Sequence, residues 1–397
     1  MKKYIIYSFL FPCIIYGQTR IIDSLKLELK KTTNDTTKIK QLTLLGYYKY
    51  LISPDSAMNA WEKGFKLSAI YLEKCNCKET ELRSIRKKQI YLATNIGYLY
   101  KIQRKFETAL VYYNTALKLE EDIGNKNGIY NAHRELASIY NKQLNSKMSH
   151  EEYKKCLEIG KELNDEIIIA KTLFDLGHCF NGEGDIPQAI NNYKESLALW
   201  GKLKNNEEQA DCVNNLGVIY FKIGEIDSSL NYFNVGLKLH LIIGDKRRIA
   251  NSYNNLGLVY KNYGEIDKVV EYYKLSLSLR EEIKDKKGIT TSLYNIGLLY
   301  DEKGEYIKAL DYFKKCLGIR REMNDFKGEV YPLNSIGGIF LSLGDEQNAE
   351  YYYNECLKIS TTVQDMEMMA YSNNNLANLF EIKKTFNIAS EYYKKSL

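Results

Sequence analysis

Proline is scarce in this sequence, four residues among 397, and no long polar tract is present, so there is little room for disordered linkers. Histidine is equally rare. His133, His150, His178 and His240 form no HExxH pair, no Ser-His-Asp signature is visible, and no phosphate-binding loop occurs. "GEGDIP" at 182–187 is no dinucleotide fingerprint. No enzyme and no cofactor are therefore expected within this chain. Beyond residue 17 no run approaches ~20 apolar residues, which excludes a membrane span there. A formal charge of +6, or about +4 once Lys2 and Lys3 leave with a leader, is too small and too scattered for nucleic acid.

Cysteine is present but poorly arranged for chemistry. Seven of the eight lie beyond residue 17, and an odd number is a poor disulfide framework. Cys75 and Cys77 are the one close pair; a single intervening residue favours strain over a clean bridge, and two cysteines make at most half a zinc site. No metal is expected.

What the chain does have begins at its N-terminus. Lys2-Lys3 precede an apolar stretch from Tyr4 to Tyr16, and the small Gly17 stands before Gln18, the pattern of a cleaved signal peptide over 1–17. Cys13 follows a poor lipobox. An exported, periplasmic protein is expected.

The rest is a repeat. "NNLGVIYFKIGE", "NNLGLVYKNYGE" and "YNIGLLYDEKGE" start at Asn214, Asn254 and Tyr294, at a constant interval. Aligned on the small residue, eight copies carry Gly97, Ala137, Gly177, Gly217, Gly257, Gly297, Gly337 and Ala377 without a slip. An aliphatic residue precedes each, an aromatic follows three later (Tyr100 to Phe380), another sixteen later (Tyr113 to Tyr393), and a leucine twenty later (Leu117 to Leu397). These offsets follow helical spacing in two segments. Gly184, Gly224, Gly264, Gly304 and Gly344 mark the turn between them, and a second turn rich in Asp and Lys closes the unit. Glycine inside a helix costs about 1 kcal/mol relative to alanine, so its recurrence requires close helix–helix approach, completed by Ala109, Ala189, Ala309, Ala349 and Ala389. About six large apolar side chains per hairpin, worth roughly 10–15 kcal/mol if buried, cannot offset the ordering of one unit alone, whereas a stack can fold. Cys156, Cys316 and Cys356 share one small-residue position of the second helix, and Cys179 occupies a core position of the first.

This pattern resembles the tetratricopeptide repeat family, in the 40-residue form found in kinesin light chain. It implies an all-α, right-handed solenoid of stacked helical hairpins. Residues 90–397 are expected to hold eight units, the last incomplete. Residues 36–89 read as a divergent first unit with Gly46, Ala57, Trp61 and Phe65, its hairpin lengthened around "EKCNCKET", and residues 18–35 as a capping helix. The turn "NKQLNSKMSHEE", with Leu144 in the glycine position, is expected to distort the array locally. The opening is similar to exported solenoids that precede bacterial sensor histidine kinases.

Asparagine marks the candidate site. Asn215, Asn255, Asn295 and Asn375 lie two residues before the small residue, and Asn214, Asn254, Asn334 and Asn374 one earlier. The resemblance implies that first helices line a concave groove, where the former row would hold the backbone of a protein or peptide partner. The same row could instead be a ladder bonding neighbouring helices. Tyr91, Tyr98, Tyr331 and Tyr371 are expected on the same face. The expected function is non-catalytic binding, as the extracytoplasmic sensing region of a membrane signalling protein; an assembly scaffold, or the regulatory part of an enzyme continuing past residue 397, are the alternatives. Leu397 falls within a second helix with Tyr393 uncovered, so the gene is expected to continue into a cap and a membrane segment.

Overall fold

A computed structural model describes the backbone of residues 4–75 and 77–396 and the side chains of 18–75 and 77–396. The leader reading for 1–17 and the reading of Leu397 therefore lie outside the described side chains. Among the described residues no helix is long and apolar enough to cross a membrane. The protein is all-α, and its helices pair as antiparallel hairpins stacked within each of two units, residues 1–199 and 200–397.

In the first unit, α1 (Tyr4–Lys31) packs Ile22 and Leu25 against Leu45 of α2 (Asp35–Tyr50) and Ala60 of α3 (Pro54–Lys74). The helical cap ends at Lys31 rather than reaching residue 35, because Asn34 caps α2 by accepting from the Thr37 amide. The extra residues of the divergent unit lengthen α3 and α4 (Glu79–Ile102). Cys75 and Cys77 lie in the loop between them with Cα atoms 5.3 Å apart, within the span a disulfide bridges. The regular hairpins of this unit are α4 with α5 (Phe106–Asp122), α6 (Lys126–Lys142) with α7 (Ser146–Leu163), and α8 (Glu166–Glu183) with the start of α9 (Ile186–Lys202). The second unit continues from α10 (Asn206–Lys222) and α11 (Ile226–Ile243) to α18 (Met366–Ile382) and α19 (Phe386–Ser396).

Three devices recur. Each glycine at the small-residue position of the repeat is roofed by the aromatic ring sixteen residues on: a Cβ built on Gly257 would stand 2.5 Å from Tyr273, and one on Gly297 2.6 Å from Phe313. The ring, more than the alanines of the second helix, is what the glycine admits. The aromatic three residues after the small one stacks on a tyrosine twelve further along, as in Tyr260 with Tyr272 and Phe380 with Tyr392, centroids 5.4 and 5.5 Å apart. Much of the tyrosine content serves these two purposes. Third, first helices start on an Asp or Asn whose side chain accepts from the first-turn amides, as at Asp165, Asn205, Asp245, Asp285, Asp325 and Asp365.

The recurring cysteines are packing residues held by weak bonds, and Cys356 also accepts from the Ser372 hydroxyl at 3.2 Å. Cys156, Cys316 and Cys356 are buried, and their thiols donate to the carbonyls of Tyr130, Thr290 and Val330. Ser196 and Ser276 do the same toward Ala170 and Ala250. Burial pushes the Cys156 thiol up to about 12, so it stays protonated and unreactive.

At Leu144 the structure corrects the sequence reading. The backbone there has φ +59°, the same left-handed conformation as Gly184 at +84°, and the turn keeps its shape. The flanking helices impose the conformation on leucine, whose side chain is left 88% exposed. A left-handed non-glycine residue costs about 1–2 kcal/mol, partly offset by glycine's greater unfolded-state entropy. Leu144→Gly is accordingly expected to stabilise the chain by about 0.5–1 kcal/mol, read as a higher melting temperature.

In α6 and α7 one core position is polar. His133 Nδ1 meets Glu152 Oε2 at 2.5 Å, both side chains buried, and Lys155 Nζ donates to Oε1 at 2.8 Å. Burial works to raise the Glu152 carboxyl, but these two partners outweigh it and hold it below its usual value. A depressed carboxylate stabilises the fold above its unfolded value and loses that contribution as pH falls through the folded one. Glu152→Gln should therefore flatten the acid side of the stability-against-pH curve, below about pH 4.3. An unchanged slope would disprove the linkage.

Candidate peptide-binding groove

The asparagines meet across successive repeats. Asn255 Nδ2 donates to Asn214 Oδ1 at 3.0 Å, Asn295 to Asn254 at 2.7 Å, and Asn375 to Asn334 at 2.6 Å. The ladder that the sequence allows is thus present in the second unit. Asn215 differs, donating to the Asp211 carbonyl of its own helix at 2.8 Å. Asn374 is exposed, while the other seven are half-buried. Each ladder bond uses one amide proton of its donor, and an asparagine amide has two.

Other residue types fill the same two positions elsewhere. Tyr294 and Ser335 are joined through their hydroxyls at 3.3 Å. In the first unit, Arg134 donates to both carboxylate oxygens of Asp175, at 2.5 and 3.1 Å. The Asp175 hydrogen bond, against the opposing effect of burial, raises the Arg134 guanidinium still further. In the sequence Asp175 is legible only as a break in the asparagine row; its charged partner one repeat back is not.

Above the ladder of the second unit lies an open cavity of about 780 Å³, lined by Asn214, Asn254 and Asn255 among others. Four cations also reach it: Arg247 and Arg248 from α12 (Lys246–Asn262), Arg280 from α13 (Ile266–Glu282) and Lys287 from α14 (Lys286–Glu302). Only Asp211 and Asp285 oppose them in the lining. Arg248 is spent on Asp211 and Glu207, at 3.0 and 2.9 Å, whereas Arg247 is two-thirds exposed and 3.7 Å from Asp285. Arg280 is 4% exposed, donating to the Gly288 carbonyl, Ser292 and Asn251, with its Nε buried and without a partner. Burial lowers its affinity for its proton. This basic lining is not legible in the sequence, because its members come from three helices.

Models of the tetratricopeptide repeat family match residues 91–123, 168–241, 248–322 and 332–362, together more than half of the chain. This is a tetratricopeptide repeat protein. No curated protein matches it by sequence. Among solved structures it is similar to a signal-transduction ATPase (STAND) protein with a tetratricopeptide repeat sensor from Pyrococcus horikoshii. That match has TM-score 0.60 and 17% identity, over 93% of this chain and 55% of that one. Aspartyl phosphate phosphatase F from Bacillus subtilis follows at 0.54 and 12%, over 92% and 94% of the two chains. The apo form of RapI gives 0.53 and 17%, over 67% and 96%. At these identities the tetratricopeptide repeat protein shares their fold. The four tyrosines expected on the first-helix face, Tyr91, Tyr98, Tyr331 and Tyr371, are all exposed.

Proposed function

We propose that this chain is a non-catalytic repeat scaffold that binds an extended peptide segment, with an acidic side chain of that segment seated in the basic cavity of the second unit. The observation that carries the reading is the convergence of Asn214, Asn254 and Asn255 with Arg247, Arg280 and Lys287 on one cavity. Amides can take backbone groups while the cations take a carboxylate. Exposed Tyr331 and Tyr371 offer apolar faces in the same unit.

Selection from a random-peptide display on the whole chain tests this, followed by titration of the selected peptide. Arg247→Glu with Asn254→Ala is expected to weaken that peptide by about tenfold or more, or about 1.4 kcal/mol. An unchanged affinity, or no selected peptide, would sink the reading. The two bonding modes within one asparagine row then separate by stability. Asn255→Ala breaks a ladder bond and should cost about 1 kcal/mol, whereas Asn215→Ala gives up only a bond to its own helix and should cost less.

The proposal extends to location: an exported, periplasmic sensing region. Its support is the charged, apolar and small-residue pattern of Lys2 to Gly17. The STAND neighbour, whose repeats are a sensor, is consistent with that use. Mass spectrometry of the native protein should find Gln18 at the N-terminus; an intact Met1 in a cytoplasmic fraction overturns export.

A further inference from the structure

His150 Nε2, Cys179 Sγ and Glu183 Oε1 converge between the start of α7 and the end of α8, their ligand atoms all within 4.8 Å of one another. We propose that these three side chains bind one zinc-class divalent transition-metal ion, with water in the fourth position.

The repeat itself shows how unusual these residues are. Cys179 stands two places after the small residue, where the other seven copies carry only Leu, Ile or Val. His150 stands thirteen places after, where five copies carry Leu, Ile or Val. Two apolar core positions have thus become metal-ligating types at the one place where they face each other. Glu183, one helical turn after Cys179, completes the set.

The local geometry fits. His150 Nε2 is 3.1 Å from Glu183 Oε1, yet it is buried and makes no hydrogen bond. A proton on that nitrogen or a metal ion between the two atoms satisfies both, and at 3.1 Å they already stand close to the separation of two ligands on one ion. The Cys179 thiol sits 3.0 Å from the same oxygen. Zinc bonds of about 2.0–2.1 Å to N and O and about 2.3 Å to S, at tetrahedral angles, place such ligand atoms about 3.3–3.6 Å apart. The two separations from Glu183 Oε1 need to open by about half an ångström, and the imidazole-to-thiol separation, within 4.8 Å, closes by about 1 Å through side-chain rotation. Sulfur with imidazole and carboxylate selects zinc-class ions over magnesium or calcium. The His150 ring rests on Phe180, centroids 4.5 Å apart, while Glu183 is partly exposed and leaves the fourth position open to solvent. Coordination displaces the thiol proton: Cys–SH and M²⁺ give Cys–S–M⁺ and H⁺.

The test uses the whole chain, stripped with chelator and kept reduced, titrated with Co²⁺ and then Zn²⁺. One equivalent of Co²⁺ should produce a thiolate-to-cobalt charge-transfer band and tetrahedral visible bands, with release of about one proton. Zn²⁺ should displace the cobalt and raise the melting temperature. Cys179→Val and His150→Leu restore residues that sister copies carry, so both variants should fold. Cys179→Val should lose the charge-transfer band. His150→Leu should bind about 100-fold more weakly or worse, since loss of even an outer partner costs about 10–100-fold. No thiolate band in the parent, or a band or zinc stabilisation that persists in Cys179→Val, overturns the proposal.

Discussion

Gly297→Val is expected to destabilise the second unit by about 3 kcal/mol, at the upper end of what overpacking costs, while Gly297→Ala costs less. A Cβ on Gly297 meets ring atoms of Phe313 at 2.6, 2.7 and 3.1 Å, and Phe313 is fully buried with no space to retreat. One methyl can be absorbed, because Ala137 packs against Tyr153 at the equivalent place. A β-branched residue adds two methyl groups in the same crevice. Phe313→Ala alone should cost about 3–5 kcal/mol. In that background the valine enters vacated space and its own penalty should nearly vanish, giving a coupling comparable to the single effect. Urea denaturation of the four proteins measures it. Additive penalties would show that ring and glycine are not the interacting pair.

Trp61→Ala should have an effect of similar size but a different distribution. The indole is 1% exposed, packs with Leu92, Ile96 and Leu99, and covers Gly46 so closely that a Cβ there would lie 2.1 Å away. Its Nε1–H donates to the Thr43 carbonyl at 3.3 Å. Loss of a buried tryptophan costs about 3–5 kcal/mol. In a stack each repeat is held by its immediate neighbours, so the loss stays local. Hydrogen exchange should accelerate across α2 and α3 and remain slow in the helices after residue 205. Uniform acceleration along the chain would mean that the array unfolds as one body.

These predictions rest on positions that the repeat period exposes. Leu256, Gly257, Tyr260 and Tyr273 recur at fixed offsets, and helical spacing says which side of its own helix each occupies. It says nothing about which residue of another helix lies opposite. The ring over each repeat glycine, the thiol bonds to carbonyls of the paired first helix, and the pairs that join successive repeats are therefore visible only in three dimensions. Asn255 and Asn214 both stand out in the sequence, but their bond joins successive repeats, and the bonds of Asn295 to Asn254 and Asn375 to Asn334 show it to be a series. Arg134 with Asp175 is the same joint in other chemistry, invisible to a search for repeated asparagine. Leu144 misleads because its side chain suggests a broken turn, whereas two packed helices dictate the turn instead. His150, Cys179 and Glu183 escape notice because metal motifs are sought at short spacing, and here most of two helices separates the first two.

The joint between successive first helices also bears on how such a chain can grow or shrink. Each unit carries one half of the joint three places before its small residue and the other half two places before. Excising residues 255–294 would bring Asn214 opposite Asn295 and leave Asn254 opposite Ser335, and both pairs can still bond. The middle of the second unit is therefore free to gain or lose copies by unequal recombination without a mismatch. A unit bearing Arg134 copied into that stretch would set a guanidinium opposite an uncharged amide, with its carboxylate left behind. The charged joint fixes the order of the units that share it, whereas the amide joints leave copy number open to inheritance.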